Sequence, residues 1–131
     1  NLFLKYPEVT FDVFHIGYPY QNKLCALAKM FPNVIIDMSW ANIISPEACV
    51  RGLVEWLDAV PANKICGFGG DYLFVDGVVG HAAIARENVS RALAEKIERG
   101  VFDLDRGREI ARMLFVDNPC RIFDVDGPAY E

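Results

Sequence analysis

The sequence predicts an α/β protein built on a small parallel sheet. Three short, nearly continuous apolar runs are each followed by a segment with apolar residues at helical spacing. Strands covered on both faces by helices read as unbroken apolar runs, and a strand–helix–strand order is what parallel pairing requires.

The first strand is expected at Phe11 to His15, followed by a helix from about Tyr20 to Met30 that buries Leu24, Leu27, Ala28 and Phe31 and stops at Pro32 and Asn33. The second runs from Val34 to Met38. After it, Ser45 as N-cap and Pro46 in the first turn open a helix burying Val50, Leu53, Val54 and Leu57, which Pro61 closes. Lys64 to Phe68 is the third strand, ended by a sharp turn at Gly69, Gly70 and Asp71. A loop from Tyr72 to Gly80 then leads to a helix from about His81 to Arg99. Ala85, Val89, Ala92, Leu93 and Ile97 form its apolar stripe, Gly100 is its cap, and Glu87–Arg91 and Glu95–Arg99 are spaced to pair on its outer face. A last helix from about Leu104 to Val116 buries Ile110, Met113 and Leu114, and Asn118 to Phe123 form a short terminal turn or helix.

The 131 residues suit one compact domain, and the 53% hydrophobic content is that of a globular chain. A net charge of -5 without a basic run gives nucleic acid no electrostatic footprint. No apolar stretch approaches the roughly 20 residues of a membrane helix and no secretory signal is visible, so a soluble, cytoplasmic protein is expected. Cys25, Cys49, Cys66 and Cys120 lie far apart without a C-x-x-C pair and read as buried free thiols. The chain opens on Asn1, and the run to Tyr6 reads as already inside a fold, so truncation or processing is expected.

Right-handed crossovers in series place the helices on one side of the sheet and leave the other face bare. A flavodoxin-like fold covers both faces but needs about five strands and a phosphate-cradling loop. A barrel covers the bare face by closing the sheet on itself, which takes eight strands and about 250 residues. Three strands are too few to close such a barrel, so by pattern alone the chain reads as part of one.

In such barrels the reactive groups stand where strands end, and His15 and Asp71 both stand there. A neutral imidazole ligates metal or moves protons near neutral pH; an aspartate ligates metal and accepts a proton. Alone, a histidine after an apolar strand is more often a hydrogen-bonded core residue, and Asp71 serves equally as a turn or capping residue.

The segments around them carry a resemblance. The runs His15-Ile16-Gly17-Tyr18-Pro19-Tyr20, Asp37-Met38-Ser39-Trp40 and Phe68-Gly69-Gly70-Asp71-Tyr72 resemble the last three strand ends of amidohydrolase-superfamily barrels. The similarity is greatest to the amidohydrolase-2 group, which includes decarboxylases, and more distant to uronate isomerases; it covers about Phe11 to Phe123 and implies that residues 1–131 are a single C-terminal fragment of a (β/α)₈ barrel, about its last three strand–helix units plus closing helices. The resemblance implies that Asp71 is a metal ligand and proton shuttle and His15 a metal ligand or acid/base, with Trp40, Tyr18 and Tyr72 lining the substrate pocket. Arg86 is a candidate carboxylate clamp, though a solvated helix arginine is the commoner case. His81, near an expected helix N-terminus, is given a surface role. The family's first-strand His-x-His pair and fifth-strand histidine are absent, so the zinc or other divalent-metal ligand set is incomplete.

The expected activity is that of a parent enzyme: metal-assisted hydrolysis, or decarboxylation, of a small carboxylated or amide-like substrate. The competing expectation is an inactive module that completes a barrel by oligomerising, since an open sheet with unpaired edges invites a second copy or a missing N-terminal barrel half.

Overall fold

The computed structural model describes residues 2–127; Asn1, which bears on the expected truncation, lies outside them. Three strands, β1 (Phe11–Val13), β2 (Val34–Asp37) and β3 (Ile65–Cys66), form one sheet in the order β1-β2-β3. Both pairings are parallel, with Asp12 opposite Ile35 and Asp37 opposite Cys66. The helices are α1 (Leu2–Lys5), α2 (Gln21–Met30), α3 (Ala41–Ile44), α4 (Pro46–Ala59), α5 (Val75–Glu98), α6 (Leu104–Arg112) and α7 (Asn118–Phe123).

Side chains alternate across a strand, so the register sorts the sheet into two faces. Val34, Ile36 and Ile65 enter the apolar core with Leu24 and Ala28 of α2, Leu53 and Trp56 of α4, and Val89 and Ala92 of α5. The opposite face carries Asp12, Ile35, Asp37 and Cys66. Polar groups at the rim are thus built into the strands themselves.

Each expected strand is shorter than predicted, because its last residues leave the ladder to make rim turns. His15 stands in a 3-10 turn (Phe14–Gly17) rather than in β1. β3 keeps two residues, and beyond it the Gly67 N–H bonds the Leu114 carbonyl at 2.8 Å. That bond accounts for a second departure: the last long helix is not continuous to Val116 but passes at Met113 into a π-helical turn, Met113–Asp117, which frees Leu114 to cap the edge of β3. Asn118 Nδ2 adds bonds of 2.8 Å to the Ala62 and Ile65 carbonyls.

The helix termini follow the expected chemistry. Ser45 Oγ accepts the Ala48 N–H at 3.3 Å with Pro46 in the first turn. Gly100, at φ 71°, ends α5 with Gly100 N–H on Ile97 O and Val101 N–H on Lys96 O, the paired bonds of a Schellman motif. Glu95 pairs with Arg99 as spaced, whereas Arg91 reaches across to Glu47 on α4 at 2.8 Å instead of Glu87. Leu27 is exposed and its place in the core is taken by Cys25. Cys25, Cys49 and Cys66 are buried free thiols, and Cys120 is free and half-buried.

The largest correction concerns α5, which begins at Val75 and not at His81. Gly77 and Gly80 read as loop residues. Yet a Cβ at Gly77 would come within 2.9 Å of the Tyr72 ring, so this glycine is required by packing within a helix and does not break it. His81 consequently sits past the first turn of α5 and is buried, 1% exposed, not on the surface.

Candidate active site

The turns that follow the strands hold non-glycine residues in the left-handed region: His15 (φ 58°) and Ile16 (φ 54°) after β1, Trp40 (φ 55°) after β2, and Asp71 (φ 49°) after β3. Such a backbone costs roughly 1–3 kcal/mol per residue and persists only where surroundings over-determine it. Ile16, 1% exposed, is the anchor of the first turn: burying it holds His15 out toward the rim. At the third turn the glycines are needed for close approach, while the left-handed residue is Asp71 itself. A Cβ on Gly69 would overlap the Ser39 hydroxyl, and the Gly69 carbonyl accepts the Trp40 N–H at 3.1 Å. The turn after β3 is thereby docked on the turn after β2.

His15 bridges all three. Its Nδ1 lies 2.7 Å from the Ser39 carbonyl. A carbonyl only accepts, so Nδ1 carries the proton, and in the neutral ring Nε2 presents a lone pair. That lone pair faces Asp71 Oδ2 at 3.7 Å, with side chains 37% and 52% exposed. Two electron-pair donors opposed across an open gap suit a cation between them. Ligands of a tetrahedral zinc stand about 3.3 Å apart, so a small closure would seat one. Among the described residues no group of three His, Cys, Asp or Glu side chains could hold a metal. Among the described residues, His15 and Asp71 are the two such donors brought together at this rim.

Trp40 stands edge-on to His15, ring centroids 5.9 Å apart, and is 39% exposed. Tyr18 is exposed on the same turn as His15, its N–H on the His15 carbonyl. Tyr72, next to Asp71, packs on Phe74 and His81. Arg86 stands elsewhere, in a cleft of about 630 Å³ between α5 and the α6 end, lined also by Val89, Ser90, Ala111, Phe115 and Val116. None of the His15–Asp71 cluster lines that cleft.

Two carboxyls beneath the rim were not singled out from sequence. Asp37, 4% exposed, accepts the Ser39 N–H, so it fixes the residue whose carbonyl orients His15. Burial raises its pKa, opposed by the Ser39 N–H, by His15 and by Asp12. Asp12 lies against it, pushed up to about 7 by burial first and by the Asp37 carboxylate second. The legible signal was a charged residue inside each of two strands that otherwise read as buried. Cys66, on the same face, is pushed up to about 12, chiefly by burial, and at neutral pH is a thiol without nucleophilic character.

Gly69→Ala is expected to destabilise the protein by about 1–3 kcal/mol, because the new methyl group must displace Ser39. The shift should be read as a lower urea midpoint, and an unchanged midpoint would show that the two turns are not docked as described.

Parallel strands bringing an imidazole and a carboxylate to one rim define the class: an α/β protein with a strand-end site. Comparison with known proteins identifies the family, because residues 1–125 match the amidohydrolase profile and the chain belongs to it. Curated relatives include Protein fluG of Emericella nidulans, 23% identical over 127 residues, covering 96% of this chain and 15% of that protein. Uronate isomerase of Cutibacterium acnes is 24% identical over 106 residues, covering 81% of this chain and 23% of that protein. A Lactobacillus casei protein described as a metal-dependent hydrolase superposes with a TM-score of 0.67 at 22% identity, over 86% of this chain and 29% of that one, a likeness of fold. The chain spans less than a third of the length of each. Among the described residues no helix is long and apolar enough to cross a membrane.

Proposed function

We propose that this chain supplies the last three β/α units of a (β/α)₈-barrel amidohydrolase. The enzyme acts on a small carboxylated or amide-like substrate by metal-assisted hydrolysis, with decarboxylation or isomerisation as related outcomes on the same scaffold. The observation that carries this reading is the His15 Nε2 lone pair facing Asp71 Oδ2 across 3.7 Å at the strand ends. Family membership and the hydrolase-like fold support it. A relative named as a uronate isomerase supports a carboxylated substrate. β1 is an edge strand, and the face bearing Asp12 and Asp37 has no second sheet among the described residues. A further barrel strand, from the rest of the protein or from a second copy, would pair with the β1 edge, while Ile35, Asp37 and Cys66 on that face are already buried.

His15 Nε2 and Asp71 Oδ2 would hold a divalent cation, zinc in our reading, which supplies Lewis-acid chemistry when bound and takes its other ligands from the remaining strands. The chain's own residues do the rest. The other Asp71 oxygen, Oδ1, on a half-exposed side chain, accepts the proton released by the attacking water. His15 keeps its orientation through Nδ1–H on the Ser39 carbonyl, which Asp37 in turn fixes. Trp40 and Tyr18 form the substrate-facing wall on the His15 side, and Tyr72 that on the Asp71 side.

The test is metal analysis of the protein and of His15→Asn, a replacement that tolerates the left-handed backbone and shortens the donor. The complete protein carrying this chain should retain zinc through dialysis and its variant should lose it. Equal metal content in both would remove His15 from the site.

A further inference from the structure

We propose that His81 is a positioning residue for Asp71: its buried imidazole grips both flanks of the 68–72 turn and so sets the direction in which the Asp71 carboxylate points. The inference rests on the reading of Asp71 as a metal ligand.

His81 belongs to α5 and side chains of a helix lean back toward its N-terminus, so its ring reaches the turn that precedes the helix. It stands edge-on to Phe68 at 5.2 Å and to Tyr72 at 5.7 Å, the residues that bracket Gly69, Gly70 and Asp71. One ring therefore touches the turn at both ends. The imidazole is 1% exposed, and neither of its nitrogens has a partner in full hydrogen-bond geometry. The backbone of Gly70 is the polar group that acts on it electrostatically, short of a hydrogen bond. Burial outweighs that attraction and lowers the pKa, so the ring is neutral at physiological pH and adds no charge beside the carboxylate.

An apolar side chain would fill this space without leaving polar atoms short of partners, so packing alone gives no reason for a histidine here. Holding Asp71 does. The left-handed backbone at Asp71 must be imposed by its surroundings, and Gly70, which has no side chain of its own to anchor, immediately precedes it. An imidazole packed against both Phe68 and Tyr72 holds the two ends of the turn that orients Asp71, with the Gly70 backbone between them.

The experiment uses the complete protein carrying this chain, stripped and reloaded with Co²⁺, reading the Co²⁺ dissociation constant by chelator competition, the visible absorption band and the melting temperature. His81→Leu is expected to fold and to bind Co²⁺ about 10–100-fold more weakly with an altered band, the size of effect typical of residues behind a ligand. His81→Gln, whose amide keeps a polar group beside the Gly70 backbone, is expected to bind within a few-fold of the parent. His81→Met serves as the apolar variant if leucine does not fold. Parent-like binding and band in the apolar variant, or equal losses in the glutamine and apolar variants, overturn the proposal. Asp71→Asn separates the two readings. If it loses Co²⁺ while the apolar variant does not, the role of His81 alone falls. If it binds Co²⁺ as the parent does, the metal-site reading falls and takes this inference with it.

Discussion

Asp71→Asn is expected to leave the fold intact and to lower turnover by about 10²–10⁴-fold, the range for removing a positioned proton acceptor. Asparagine is the replacement that isolates the charge. It tolerates the left-handed region almost as well as aspartate and keeps the side-chain shape, so the backbone at φ 49° need not change. The side chain is 52% exposed, which removes any packing penalty. What disappears is an anionic oxygen 3.7 Å from His15 Nε2. The measurement is turnover on carboxylated and amide substrates beside the urea midpoint. An unchanged rate with an unchanged midpoint would take Asp71 out of the chemistry. A rate loss matched by a collapsed midpoint would make it a structural turn residue.

The second large effect is on stability against pH. Asp12 is raised from an ordinary 3.8 to about 7, by burial and then by the neighbouring Asp37 carboxylate, and Asp37 is raised with it. Two carboxyls this close titrate as a pair. The folded protein holds a proton that the unfolded chain has released above about pH 4. Stability from this pair is therefore fully present below about pH 4 and is lost as pH rises to about 7. A three-unit shift corresponds to about 4 kcal/mol; discounted for the partial exposure of Asp12, on the order of 2 kcal/mol is expected. Asp12→Asn removes one titrating group, so the variant should gain on the parent between pH 5 and pH 8. The gain is read as the difference in urea midpoints at the two values. A difference that does not change with pH would mean that the two carboxyls do not share a proton.

Local patterns made much of the architecture legible. The apolar runs at 11–15, 34–38 and 64–68 located all three strands, and the Ser45-Pro46 and Gly100 signals located helix ends, because capping and strand burial depend on near neighbours. The boundaries that failed did so where a packing or hydrogen-bond partner outside the local pattern intervened. Gly77 reads as a breaker until Tyr72 is seen to occupy the space a Cβ would need, and Leu114 reads as helix interior until its carbonyl is taken by Gly67.

The candidate site divides the same way. His15 and Asp71 were visible as polar residues closing apolar runs, and the resemblance of their segments pointed to one family, to which the chain belongs. Asp12 and Asp37 were assigned no role and His81 was given a surface one, because a charged residue within a strand or an imidazole within a helix acquires meaning only from what faces it. Sequence alone determined the strand–helix order and the kinds of donor at the strand ends, both set by short-range periodicity and residue chemistry. Only the tertiary structure decided that Ser39 fixes the His15 tautomer, that Gly69 docks one rim turn on the next, and that His81 packs on Phe68 and Tyr72 at the two ends of the Asp71 turn. Each of these joins residues that are remote in the chain, through a contact that packing of the sheet against its helices creates.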